Sequence, residues 1–303
     1  MSAPSYTPQL RPLSVGETLD AAFRLFRHRF GSLIACVLVP SVPVFILGTI
    51  IVGATDTTAF DVNAPVNNDG EAVAGRAIDQ MLASIAVALG VAACFKVISA
   101  AYLGERAGVG DSLRYSLGRF LPLVGAYIVM VLILIGGLIA LILPFFFLLI
   151  KLSMTWPALV CERTGPLKSI GRSWRLTRNN WWRVFGILLV TLLILVVIGI
   201  ALGLVLGAVL LGSESLGEVA FAVLATLVDL VIAAITYPLW AAVLTVVYYD
   251  LRVRNEGFDL QLLAQGVGAD ASRFESSPER PIAPPPPSSG GGFRPPEEPA
   301  PSS

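Results

Sequence analysis

The sequence predicts an all-α membrane protein of six transmembrane helices, arranged as three hairpins that are each preceded by a cytoplasmic amphipathic helix. Three observations lead there. The chain is 55% hydrophobic and only 14% charged, with a mean hydropathy of +0.76, whereas a soluble domain carries about 25% charged residues. Its apolar residues are gathered into runs of the length that hydrocarbon demands, about 20 residues for roughly 30 Å. Its cations lie almost entirely on one side of those runs.

In chain order, residues 1–30 form a cytoplasmic N-terminus with an interfacial helix. Ser14 with Glu17 three residues on makes a capping box for its first turn. Leu19, Ala22, Phe23, Phe26 and Phe30 then recur on one helical face, with Glu17, Asp20, Arg24, Arg27 and His28 on the rest. The first apolar run starts only near Gly31, too late for the core of a cleavable signal peptide. The spans fall at about 31–53, 80–103, 120–141, 144–161, 184–212 and 219–248, inside a membrane domain of 31–260. Between Phe120 and Cys161 lie 42 residues with one charge, Lys151, enough for two spans joined by a tight turn near Leu141–Pro144. Residues 261–303, ending PPPPSSGGGFRPPEEPAPSS, lack the apolar content to bury a core and read as a disordered cytoplasmic tail with polyproline character.

Charge sets the orientation. With the N-terminus inside, segments 1–30, 104–119, 162–183 and 249–303 hold 18 of the 21 Lys and Arg. Lys96 and Lys151 lie in spans, and only Arg76 falls outside. The opposite loops carry acids instead: Asp56, Asp61, Asp69, Glu71, Asp79, Glu214 and Glu218. By the positive-inside rule both termini are cytoplasmic. Arg outnumbers Lys 18 to 3, the usage of a GC-rich bacterial genome, so the expected location is a bacterial cytoplasmic membrane.

The chain also repeats. Glu105–Leu113 aligns without gaps on Glu162–Ile170, Val15–Leu19 aligns on Val109–Leu113, and Thr155-Trp156-Pro157 echoes Thr236-Tyr237-Pro238. The column Thr18, Ser112 and Ser169 reads as helix-start chemistry. In the third copy Thr164 or Gly165 caps, Pro166 takes the first position, and Leu167, Ile170, Trp174 and Trp181 form an apolar stripe beside Lys168, Arg172, Arg175 and Arg178. Such helices lie in the headgroup plane, apolar side down, and each cation near anionic lipid contributes on the order of 1 kcal/mol. Arg24, Arg27, Lys168, Arg172, Arg175, Arg178, Trp174 and Trp181 are therefore the candidate lipid-headgroup contacts.

A second candidate site lies in the spans. Lys96, Lys151 and Asp229 each cost about 2.5–3.5 kcal/mol at mid-membrane, so each needs protein, water or a partner. By helical rise Lys151 stands ~16 Å and Lys96 ~13 Å from the inner edge, and Asp229 ~15 Å from the outer one. Lys151 and Asp229 are thus expected near one depth, as a structural pair or as part of an ion path. Gly199, Gly203 and Gly207 make a small face in the fifth span, and Ala86, Gly90 and Cys94 one in the second, expected to pack within the chain or, in the sharper alternative, along a homodimer seam.

Other chemistry is thinly represented. Gly110-Asp111-Ser112-Leu113 spells the GDSL string of an esterase family, but the single histidine, His28, is upstream and flanked by arginines. The cysteines, Cys36, Cys94 and Cys161, sit in apolar runs, and no cluster has metal-ligand spacing. No phosphate-binding or dinucleotide fingerprint is present, so no cofactor is expected. The arginines alternate with membrane-facing aromatics and are balanced by acids, which favours lipid over nucleic acid as partner.

Several of these pieces resemble a bacterial family of integral membrane proteins named after the membrane domain of glycerophosphoryl diester phosphodiesterases. They are Pro12-Leu13-Ser14-Val15-Gly16-Glu17, Gly165-Pro166-Leu167, Ser173-Trp174-Arg175-Leu176-Thr177, Trp182-Arg183 and Tyr248-Tyr249-Asp250-Leu251-Arg252, and the resemblance covers about residues 11–265. In some relatives the domain precedes a soluble phosphodiesterase barrel with histidine and carboxylate chemistry. The chain after the sixth span holds no histidine, so the resemblance implies membrane architecture without catalytic activity. The expected role is non-enzymatic: a lipid-contacting scaffold or accessory subunit for an envelope or lipid-processing partner, itself a membrane protein or a second copy. The alternative is a small transporter or channel using Lys96, Lys151 and Asp229.

Overall fold

In hydrocarbon every backbone N–H needs an acceptor within its own segment, so apolar runs fold as helices. The computed structural model describes residues 12–56, 67–105, 107–140, 142–211, 218–258 and 260, and among them there is no strand. Expectations for Arg106, Asp61, Glu214 and the tail 261–303 lie outside the described residues. The order is α1 (Val15–His28), α2 (Phe30–Thr55), α3 (Gly70–Tyr102), α4 (Val109–Gly118), α5 (Phe120–Ala140), α6 (Ile142–Leu152), α7 (Thr155–Cys161), α8 (Pro166–Thr177), α9 (Trp181–Leu211) and α10 (Glu218–Glu256). Six stretches are long and apolar enough to cross a membrane: Phe30–Thr55, Gly70–Tyr102, Phe120–Ile139, Pro144–Cys161, Trp181–Val205 and Val223–Glu256. The chain is a multi-pass membrane protein.

Two spans run past their expected ends, because a helix need not stop where hydrocarbon does. α3 starts ten residues before the expected boundary at 80. Its first turns bury Ala72 and Gly75, with Gly75 against the Thr55 side chain, and Arg76 pairs with Asp56 at 2.6 Å. α10 continues to Glu256, and Gly257, at φ 59°, takes the left-handed conformation that ends it.

The fourth span is broken rather than bent. Proline has no N–H and its ring collides with the carbonyl four residues back, which for Pro157 is that of Ser153. The helix stops at Leu152 and resumes at Thr155. The exposed backbone is claimed by α8: Met154 N–H donates to Ser173 Oγ at 3.1 Å, and Ser173 Oγ–H donates to the Lys151 carbonyl at 2.6 Å. Pro40, Pro43 and Pro238 lie inside helices that continue through them.

α2 and α3 pack closely along their length. A Cβ on Gly90 would come within 2.9 Å of the Cys36 carbonyl and 3.0 Å of Val37 Cα, so the Ala86/Gly90/Cys94 face is an intramolecular contact, as expected. The Gly199/Gly203/Gly207 face is not, since a Cβ on any of the three meets nothing within 4 Å. α9 turns it outward, which corrects the expectation of packing inside the chain. α10 is the most buried of the six spans, whereas α5 and α9 leave most of their surface outside the bundle.

α1, α4 and α8 gather at one end of the bundle, against the C-terminal ends of α3, α7 and α10 and the start of α9. The capping box on α1 is present: Glu17 N–H donates to Ser14 Oγ at 3.2 Å and Ser14 N–H to Glu17 Oε2 at 2.7 Å. Gly165 caps α8, with Pro166 first in the helix. The faces differ from the expected stripes. α1 buries Thr18, Ala21, Ala22, Leu25 and Phe26, mainly against α10, so that side is spent on protein rather than lipid. α8 buries Ser169, Ser173, Leu176 and Thr177 and leaves Leu167 and Trp174 exposed. Thr18, Ser112 and Ser169 are all fully buried, a turn inside their caps. That column is a row of small side chains permitting close helix contact, not the cap itself.

Candidate functional site

At this polar end the need of a buried carboxylate for a set of donors organises the chain. Asp250, 1% exposed on α10, accepts from Leu13 N–H at 2.8 Å, from Arg183 Nε and Nη2 at 3.1 and 3.0 Å, and from Arg254 Nε at 3.0 Å. The Leu13 carbonyl accepts in turn from Arg254 Nη2 at 2.6 Å and from Arg183. One carboxylate thereby fastens the entry to α1, the start of α9 and the end of α10.

A second cluster stands beside it. Arg172 of α8 pairs with Glu162 at 2.7 Å and with Glu256, to which its Nη2 donates at 2.6 Å. Arg252 lies 3.4 Å from Glu256 and 3.8 Å from Glu162, and Tyr248 O–H donates to Glu162. Burial works against the Arg172 charge, but the two carboxylates outweigh it and hold its pKa above the ordinary value. Ser99 and Tyr249 hydroxyls meet at 2.6 Å and the Tyr102 and Tyr249 rings stack, tying α3 to α10. Tyr115 O–H donates to the Val160 carbonyl at 2.8 Å, and burial pushes this phenol up, so it stays a donor.

These pairings divide the eight expected headgroup contacts. Arg172 is committed to two carboxylates, and Arg24 to Asp20 at 2.8 Å on the surface of α1. Arg27, Lys168, Arg175 and Arg178 are exposed and have no acidic partner among the described residues. Trp174 is exposed, while Trp181 is half-buried and stacks on Phe147 and Phe185.

The three expected intramembrane charges do not meet. The break after Leu152 places Lys151 against α8 rather than a continuous helix's length from Glu162. It is 4% exposed, its ammonium lies 5.5 Å from the centroids of both Phe147 and Trp174, and Phe147 also lines the cavity that Arg178 borders. No carboxylate faces it among the described residues. Lys96 reaches the same end, 5.6 Å over the Tyr115 ring of α4. Asp229 lines a cavity among α2, α3 and α10 with Asp79, and no ion pair joins it to either lysine. Ser112 is buried in α4 and His28 exposed on α1, so the GDSL string has no triad geometry here.

A surface cavity of about 650 Å³ is lined by Phe147, Arg178, Asn179, Asn180, Trp181, Trp182 and Arg183; Arg183 is already paired with Asp250, and Lys151 lies behind the wall, against Phe147. The Trp181 indole N–H is buried without an acceptor. The corner therefore offers cations and an unmet donor in an aromatic frame, the set that an anionic oxygen would satisfy.

Sequence reasoning missed Glu162, Glu256 and Asp250 as counter-charges and counted Asp79 as a loop acid. One signal existed: Glu162 is the only acid in the basic segment 162–183. A family model described as a domain of unknown function (DUF7847) matches residues 115–253. That is under half of the chain, and it takes in Glu162, Arg172, Arg183 and Asp250. No curated protein and no solved structure matches the chain.

Proposed function

We propose that the chain is a non-catalytic lipid-contacting protein of a bacterial inner membrane, a scaffold or accessory subunit for an envelope or lipid-processing partner. Three units make it up, each an amphipathic helix followed by a hairpin, with α1/α2–α3, α4/α5–α7 and α8/α9–α10 as the copies. The polar end faces the cytoplasm and both termini lie there. The partner is a second copy or another membrane protein; nucleic acid is not one.

One observation carries the reading: Lys151 is buried against Phe147, which also lines the cavity of Arg178, with no acid paired to it among the described residues, while Arg172 and Arg183 are matched by carboxylates. A chain that neutralises its structural cations and leaves this corner positive has a counter-ion outside itself, and a lipid phosphate is the anion available at that level. Lys168 and Arg175 line a smaller hollow together with the paired Arg172 and Glu162 and add two exposed cations to this end.

The test is lipid retention by the purified protein, phosphatidylglycerol against phosphatidylcholine, read by native mass spectrometry. At roughly 1 kcal/mol per cation, Lys151→Met should weaken phosphatidylglycerol retention about fivefold, and Lys151→Met with Arg178→Gln about 25-fold. Arg24→Gln should leave it unchanged. Equal retention of the two lipids, or indifference to the double variant, would remove the proposal.

A further inference from the structure

The cavity at the opposite end from the basic cluster is about 580 Å³, within the range of small-molecule sites. It is a wedge between the α2–α3 pair and the first half of α10. Its register follows from the other end of the same two helices. Ser99 and Tyr249 touch, and Asp79 and Asp229 each lie twenty residues upstream of that contact on α3 and α10. At 1.5 Å per residue both acids stand ~30 Å away, level with each other and near the far hydrocarbon boundary.

Neither carboxylate has a hydrogen-bond or ion-pair partner among the described residues. The nearest cation in sequence, Arg76, is committed to Asp56 and to the Asn67 carbonyl. Among the described residues no Lys or Arg lines the cavity. Deeper in the wedge, Ser41 is 8% exposed and its hydroxyl has no partner. The neighbouring hydroxyls of Thr49 and Thr236 instead bond back to Phe45 and Ile232 of their own helices. The walls between are apolar: Val44, Phe45, Val87 and Ile232. Asp79 is set in place by a missing side chain, because its carboxylate occupies the space that a Cβ on Gly48 would take.

We infer that this wedge is a binding site for an amphiphilic ammonium ion, with the cationic head between Asp79 and Asp229 and the apolar body directed toward Ser41. Two uncompensated carboxylates select a net cation. A zwitterionic ethanolamine headgroup would bring its phosphate against the same two acids with no base to receive it, so a free amine fits better than that lipid. The site is separate from the lipid contacts at the polar end and does not rest on them.

The test measures binding of radiolabelled n-decylammonium to the full chain in phosphatidylcholine nanodiscs, with n-decanol and phosphatidylethanolamine as competitors. Asp79→Asn with Asp229→Asn should raise the Kd at least tenfold. Gly48→Ala, which keeps both charges but displaces the Asp79 carboxylate, should raise it about threefold. Decanol and phosphatidylethanolamine should compete poorly. Burial of the native cysteines, read with a thiol-reactive dye, reports that each variant is folded. If the folded double variant binds as the wild type does, or Gly48→Ala has no effect, the site is wrong. Efficient competition by phosphatidylethanolamine would overturn the choice of a net cation. Should the double variant not fold, an unaltered Kd in Gly48→Ala alone rejects the proposal.

Discussion

Asp250 and Asp229 are carboxylates on the same helix, six turns apart, and they have opposite surroundings. Asp250 is almost fully enclosed and receives donors from Leu13, Arg183 and Arg254. Asp229 is exposed on a cavity wall and receives none among the described residues. The difference separates two uses of a charge in a membrane protein. A carboxylate whose donors come from three parts of the chain holds those parts together; one left without donors is held by the fold for something else. The sharpest way to break the comparison is Asp250→Ala. It strands two guanidinium groups and a buried N–H, and removing one partner of a buried ion pair costs about 3–5 kcal/mol. Unfolding in a denaturing detergent, followed by dye labelling of Cys36 and Cys94, should show a loss of that size. A loss below 1 kcal/mol would mean that the entry to α1 is fixed by something other than this carboxylate.

How much of this was legible depends on whether the controlling interaction is local. The apolar cores of the six spans, the Ser14–Glu17 cap and the Gly165-Pro166 start depend on neighbours within a few residues, and they stand where the sequence places them, although α3 and α10 run past the expected ends of their spans. The pairing of Arg172 with Glu256, 84 residues on, leaves no trace in a hydropathy profile. Arg172 therefore looks the same as Arg175, which has no acidic partner among the described residues. The stripes on α1 and α8 misled for a related reason. Hydrophobicity marks the face that avoids water, but at this end both lipid and protein avoid it. On α8 Leu167 and Trp174 stay exposed, and the side packed on protein holds serines small enough for close approach. Asp79 was hidden because a loop reading ends where apolar residues thin out, while the helix runs on over Ala72 and Gly75.

A second comparison is built into the repeat. Thr155-Trp156-Pro157 and Thr236-Tyr237-Pro238 share a pattern, yet only the first interrupts its helix. The difference is Ser173, which receives the Met154 N–H and donates to the Lys151 carbonyl; among the described residues no side chain of another helix bonds the α10 backbone beside Pro238. Ser173→Ala leaves two buried backbone groups without partners, a loss of about 1–3 kcal/mol. It should also loosen the Lys151 corner, so phosphatidylglycerol retention should fall along with stability. Full stability in the alanine variant would show that the break is intrinsic to Pro157.

The smallest expected effect is the most telling, because it concerns the acid with nothing to lose. Asp229→Asn removes no hydrogen bond and no ion pair, since none is present among the described residues. It does remove a charge that a position near hydrocarbon disfavours. The detergent unfolding midpoint should therefore stay within about 0.5 kcal/mol of the wild type or move toward greater stability, in contrast to every substitution that strips a partner from a buried group. The sign matters more than the size. A gain would mean that the fold carries Asp229 at a cost, as chains do for residues retained for binding. A loss comparable to that of Asp250→Ala would mean that Asp229 has a structural partner after all, and the two aspartates would then belong to one class.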